Sequence, residues 1–166
     1  MIDAATIKAL IHAELEQVGD ERVVTFLRRH LVEPVPIMVP WDYGAPGTQY
    51  LCWVVLEEPG SDVGIAYCEE GFGPAHPWGL LFIRDGQPSG SMGQDCAWFS
   101  TFLEAAFDSV MSSLPIWRVF KTDASGNTPI SDEGGWDETW QRVMSLRRDN
   151  PEGRYECDTS VRWRKG

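Results

Sequence analysis

The sequence predicts an α+β chain: an N-terminal helical hairpin, then a central antiparallel sheet of about 4–6 strands with further helices packed on one face. Three patterns carry that reading. Apolar residues recur at helical spacing through residue 31, short apolar runs joined by Gly- and Pro-containing turns occupy residues 51–83, and helical spacing returns after Asp95. The length fits one domain, 1–166, with the hairpin in 1–32 and the sheet with its packed helices in 33–166.

Residues 3–18 are the first predicted helix, with Ile7, Leu10, Ile11, Leu15 and Val18 on one stripe. Asp3 supplies its N-cap carboxylate, and Gly19 stops it. The second helix runs over residues 20–31, with Asp20 as cap and Val23, Val24, Leu27 and Leu31 on one side. Arg28, Arg29 and His30 fall in its last turn, where positive charge complements the helix dipole. Pro34, Pro36 and Pro40 exclude further helix and restrict residues 35–39 to an extended edge piece.

Residues 51–56 and 63–68 read as an antiparallel hairpin turning near Gly60, and residues 78–83 as a further strand. A helix is predicted over 96–112, capped by Asp95, with Phe99, Phe102, Leu103, Ala106 and Val110 on one face and Pro115 after its end. Residues 116–121 read as a strand, 123–135 as a polar loop, 136–147 as a helix and 154–163 as a last strand.

Charge narrows the function classes. The formal net charge is −11, and between residues 32 and 117 Arg84 is the only basic residue. The acids there are Glu33, Asp42, Glu57, Glu58, Asp62, Glu69, Glu70, Asp85, Asp95, Glu104 and Asp108. Such a one-signed region repels phosphate backbones and anionic membranes and attracts cationic partners. Nucleic acid and membrane are therefore not expected as partners, and the basic tail 162–165 reads as a solvated terminus. No apolar run reaches the ~18 residues of a membrane span. The first residues lack a basic-then-apolar leader pattern, and Cys52, Cys68, Cys96 and Cys157 follow no repeated spacing. Reduced thiols and a cytoplasmic location are the expectation.

The chain carries eight tryptophans, most of which a core can absorb, leaving two or three for a pocket or an interface. The stretch from Cys68 to Gly79 is the least ordinary, with glycines, Pro74, Pro77, Phe72 and Trp78 in a loop whose backbone these residue types hold fixed. Its His76 is the one histidine outside the predicted N-terminal helices, and so the natural general-base candidate near neutral pH. A thiol hydrolase would combine His76 with Cys68 or Cys96 and Asp95, but Asp95 already serves as a cap, so no catalytic residue is assigned. Glu69 and Glu70, as neighbours on extended chain, point to opposite faces and do not form an acid–base pair. Cys52 and Cys68 fall roughly opposite each other across the predicted hairpin, where they could share a zinc ion, with His76 as a further ligand, or oxidise, but two packed thiols are the preferred reading. The chain has no short paired Cys or His spacing, phosphate loop or dinucleotide fingerprint, so neither metal nor cofactor is expected.

The function expected on these grounds is a protein-binding module whose acidic surface meets a basic partner. Its candidate contact residues are Trp41, Tyr43, Glu57, Glu58, Glu69, Glu70, Phe72, His76 and Trp78. The alternative is an enzyme or small-ligand binder with a pocket under the 69–79 loop, in which His76, Trp78 and one acid converge. The general profile, small, acidic, aromatic-rich and without a catalytic signature, resembles that of bacterial immunity or antitoxin-like binding proteins. That resemblance is compositional, covers no motif and carries over no residue roles.

Overall fold

The computed structural model describes residues 2–58, 60–93 and 96–160, and their contacts divide the chain into two compact units, 1–109 and 110–166. Helix α1 (Ala4–Leu15) and helix α2 (Glu21–His30) form where the periodicity places them. Asp3 accepts a hydrogen bond from the Thr6 N–H and Asp20 from the Arg22 N–H, so both caps satisfy donors that the first turn leaves free. Ile7, Ile11 and Leu15 are buried on α1, and Val23, Val24 and Leu27 on α2.

These helices are not principally each other's partners, as a hairpin would require. The main neighbours of α1 are strand β1 (Leu31–Pro40) and helix α3 (Phe102–Asp108). The reason lies at the end of α2, where Leu31 is already extended and leads into β1 without a loop. The strand, rather than α2, therefore lies against the apolar stripe of α1.

Strand β1 tolerates its three prolines because β2 (Gln49–Glu57) is the one strand it follows in register. The sheet continues through β3 (Val63–Tyr67), β4 (Trp78–Arg84) and β5 (Gln87–Pro88), in sequence order and antiparallel throughout. Register shifts between Leu31 and Val35 and between Val54 and Leu56 bend it. After β5 the chain returns to the opposite edge. The Met92 N–H donates to the Pro40 carbonyl at 2.9 Å, and the Asp42 N–H donates to the Met92 carbonyl at 3.1 Å. The sheet is thereby nearly closed into a barrel. Ile37, Val39, Cys52, Val54, Ala66, Cys68, Leu81, Ile83 and Met92 fill the inner face.

The helix expected over 96–112 is the largest departure from the sequence reading. Trp98 and Phe99 instead form a short strand, β6 (Trp98–Phe99), paired with Gly79 and Trp78 of β4. Gly79 is needed there, because a Cβ would lie 2.9 Å from the Trp98 ring. Helix α3 starts later, at a capping box in which Thr101 accepts from the Glu104 N–H and the Glu104 carboxylate reaches back to the Thr101 N–H. Asp95, the expected cap, lies outside the described residues. The Ser100 hydroxyl, foremost among several donors, holds the Glu104 carboxyl below its ordinary range. A depressed carboxylate stabilises the fold above its unfolded pKa, and that contribution is lost as pH falls through the folded value. Thr101→Ala is expected to cost about 1 kcal/mol in a urea titration.

The second unit is a three-stranded antiparallel sheet with a helix on it. Its elements are β7 (Trp117–Asp123), β8 (Gly126–Pro129), α4 (Trp136–Asp149) and β9 (Arg154–Thr159), with β7 central. Strand β8 lies within the expected 123–135 loop: Asp123 accepts from the Ser125 N–H, and Gly126 takes a φ of +114° to turn the hairpin. Val119, Val143 and Tyr155 make the core between sheet and helix, and the Trp117 indole donates to the Met111 carbonyl at 3.0 Å. The last three positions of the expected 154–163 strand lie outside the described residues. No helix among the described residues is long and apolar enough to cross a membrane.

Candidate binding site

One end of the near-barrel gathers aromatic rings from four separate stretches of chain. Trp41 follows β1, Tyr50 is the second residue of β2, Phe72 lies in the 69–77 loop and Trp98 begins β6. The Trp41 ring meets Tyr43 at 5.1 Å, Phe72 at 5.3 Å and Tyr50 at 5.7 Å, and Phe72 meets Trp98 at 5.4 Å. Tyr43 and Phe72 also contact each other edge to face at 6.2 Å. These are attractive ring geometries, and they hold the cluster in one arrangement. Tyr43 stays 55% exposed and Phe72 43%, so the cluster presents an apolar surface to solvent.

The backbone around the cluster is pinned. The Trp41 N–H donates to the Thr48 carbonyl, the Gly73 N–H to Glu70, the His76 N–H to Gly73 and the Cys68 N–H to Pro77. Gly73 adopts a φ of +82°, which accounts for a glycine at the sharpest point of the loop. Asp42, Glu69 and Glu70 are all exposed beside the rings in sequence. The Trp98 Nε1 is buried with no acceptor among the described residues, a polar cost in an otherwise apolar cluster.

Of the residues singled out from sequence, Trp41, Tyr43 and Phe72 come together, with Glu69 and Glu70 in the adjoining loop. Glu57 and Glu58 do not join them. Glu57 closes the far end of β2, seven residues from Tyr50 and hence roughly 23 Å away along the strand. Trp78 is only 2% exposed, packed edge to face on Tyr67 and against Phe102, so it is a core ring and offers no surface to a partner.

His76 is exposed and lines none of the described hollows. The hollow touching Glu69 and Glu70 measures about 50 Å³, bordered by Ile2, Leu51, Trp53 and Tyr67. Small-ligand sites span roughly 300–1,000 Å³. Among the described residues, none of these hollows brings His76, Trp78 and an acid together.

Tyr50 and Trp98 belong to the cluster but were not singled out from sequence. A signal for Tyr50 existed, since it alternates with Cys52 and Val54 on the inward face of β2. Trp98 was hidden by the helical spacing of 96–112.

None of the four cysteines is in a disulfide: Cys52 and Cys68 are buried in the first unit, Cys96 is half-buried, and Cys157 lies on β9 of the second unit. The pairing of Trp53 with Tyr67 sets Cys52 directly opposite Cys68. Cys52 is held protonated by its hydrogen bond to Cys68 and by burial. The same bond, aided by the Glu70 and Gly71 N–H groups, draws Cys68 below the ordinary thiol range against the opposing effect of burial. The Cys52 Sγ also lies 3.7 Å from the Met92 Sδ.

Fold and site together define an α+β protein with a nearly closed antiparallel sheet and a rigid aromatic end. No protein-family model, curated protein or solved structure matches the chain.

Proposed function

We propose that this is a protein-binding module whose first unit docks a basic segment or surface of another protein on its aromatic end. The observation that carries the reading is the exposed pair Tyr43 and Phe72, braced by Trp41, with the exposed carboxylates Asp42, Glu69 and Glu70 close by in the chain. Rings held by their neighbours lose little side-chain entropy on binding, which is what an anchor needs. The carboxylates supply long-range attraction for Lys or Arg on the partner, and the exposed ring faces accept those cations at contact. Glu57 and Glu58 sit well beyond the ~8 Å screening length at physiological salt and contribute little to this end.

The test is capture from native lysate, followed by kinetics with the captured protein. Wild-type bait should retain a basic partner that dissociates as salt rises, and Tyr43→Ala with Phe72→Ala should weaken it by about 2 kcal/mol or more. Glu69→Lys with Glu70→Lys should slow association about tenfold or more, whereas Glu57→Lys with Glu58→Lys should change it far less. Equal retention by wild type and the ring double variant would refute the proposal.

A further inference from the structure

We propose that Cys52, Cys68 and Met92 form a buried all-sulfur site for a thiophilic d10 ion, of which Cu(I) is the biological representative. Three positions from three strands or strand ends bring these sulfurs together. Cys52 lies on β2, Cys68 follows β3 directly opposite it, and Met92 is held by its bridge to Trp41 at the closure of the sheet. The Cys52 Sγ is 3.7 Å from the Met92 Sδ, and the register of β2 against β3 sets Cys52 opposite Cys68. Cys52 is 0% exposed, Cys68 1% and Met92 0%.

The donor set selects the ion. Among the described residues no three His, Cys, Asp or Glu side chains converge, so the tetrahedral set zinc requires is missing. Two thiolates with one thioether, in apolar surroundings, suit a soft monovalent ion that accepts two or three sulfurs. Binding exchanges protons for metal: both thiols lose S–H protons to solvent, two S–M bonds form, and the Met92 thioether adds a third without charge change. The resulting complex carries one negative charge, which the Glu70 and Gly71 N–H groups beside Cys68 face. Half-buried Cys96, packed against the same cluster and donating to the Ser91 carbonyl, is the sulfur nearest solvent.

The experiment uses the full chain, fully reduced and anaerobic, titrated with Cu(I) as its acetonitrile complex against bicinchoninate as competitor. The wild type should withhold one ion per chain and release two protons for each ion bound. Cys52→Ala and Cys68→Ala should each abolish this retention, Met92→Leu should lower affinity about tenfold or more, and Cys157→Ser should leave it unchanged. Because the cysteine variants alter the core, alkylation mapping of the wild type gives an independent reading. With Ag(I) bound and the chain then unfolded rapidly, Cys52 and Cys68 should resist alkylation while Cys157 reacts. Surrender of all Cu(I) to the competitor, or uniform alkylation of the four cysteines in the presence of Ag(I), would overturn the site.

Discussion

Phe102→Ala is expected to lower the unfolding free energy by about 3–5 kcal/mol, a large part of the 5–15 kcal/mol typical of a folded domain. Phe102 is 0% exposed and meets the Trp78 ring at 5.4 Å, so truncation removes the contact that seats α3 on the sheet. The measurement is a urea titration followed by tryptophan emission and by far-UV circular dichroism. The midpoint should fall while the slope stays near the wild-type value. Phe72→Ala is the matched control, because it deletes the same ring from a surface that is already 43% exposed. Its cost should be a small fraction of the Phe102 value. If the two variants unfold at the same midpoint, α3 is not docked on the sheet as described.

The second large effect belongs to a carboxylate far away in sequence. Glu14 of α1 accepts hydrogen bonds from the Phe102 N–H at 3.1 Å and the Leu103 N–H at 2.9 Å. Thr101 takes the Glu104 N–H through its hydroxyl and the Ala105 N–H through its carbonyl. All four N–H groups opening α3 are therefore satisfied, two of them from another helix. Glu14→Ala leaves two donors on buried residues without this partner and should cost about 3 kcal/mol. Glu14→Gln keeps a single amide oxygen and should recover part of the loss. Amide hydrogen exchange gives the decisive reading: protection at Phe102 and Leu103 should fall in Glu14→Ala before protection in β2 or β3 changes. Unaltered exchange at those two amides would show that solvent, and not Glu14, satisfies them.

Local chemistry explains which elements were legible. Both N-terminal helices begin at an Asp whose carboxylate reaches a donor two or three residues on, an interaction that needs no distant partner. The apposition of Cys52 and Cys68 was readable because a hairpin pairs positions symmetrically about its turn. The same geometry sends Glu57 and Glu69 to opposite ends, a consequence the charge count alone did not convey. The 96–112 segment misled because its apolar spacing fits a helix while Trp98 and Phe99 gain more by extending β4 across Gly79. Thr101 and Glu104, three residues apart, carried the true start of α3.

The binding site divides in the same way. Tyr43, Phe72 and the neighbouring acids stood out as residue types, but nothing local places Trp41 against Phe72 or Tyr50 beneath them. That depends on closure of the sheet, through bonds between Met92 and residues 40 and 42, some fifty positions earlier. Nor does local pattern separate Trp78, a core ring, from Trp98, a cluster ring. Both flank Gly79 in space, and the face of the sheet each occupies decides its exposure.

By itself the sequence determined the α+β class, the capped N-terminal helices, the hairpin register and the acidic character of the central region. Caps, turns and alternation act within a few residues, and charge is a sum over composition. The tertiary structure alone decided which rings meet, which acids share an end and which sulfurs converge. Those outcomes depend on strands distant in the chain closing on one another, and burial is fixed only when they do.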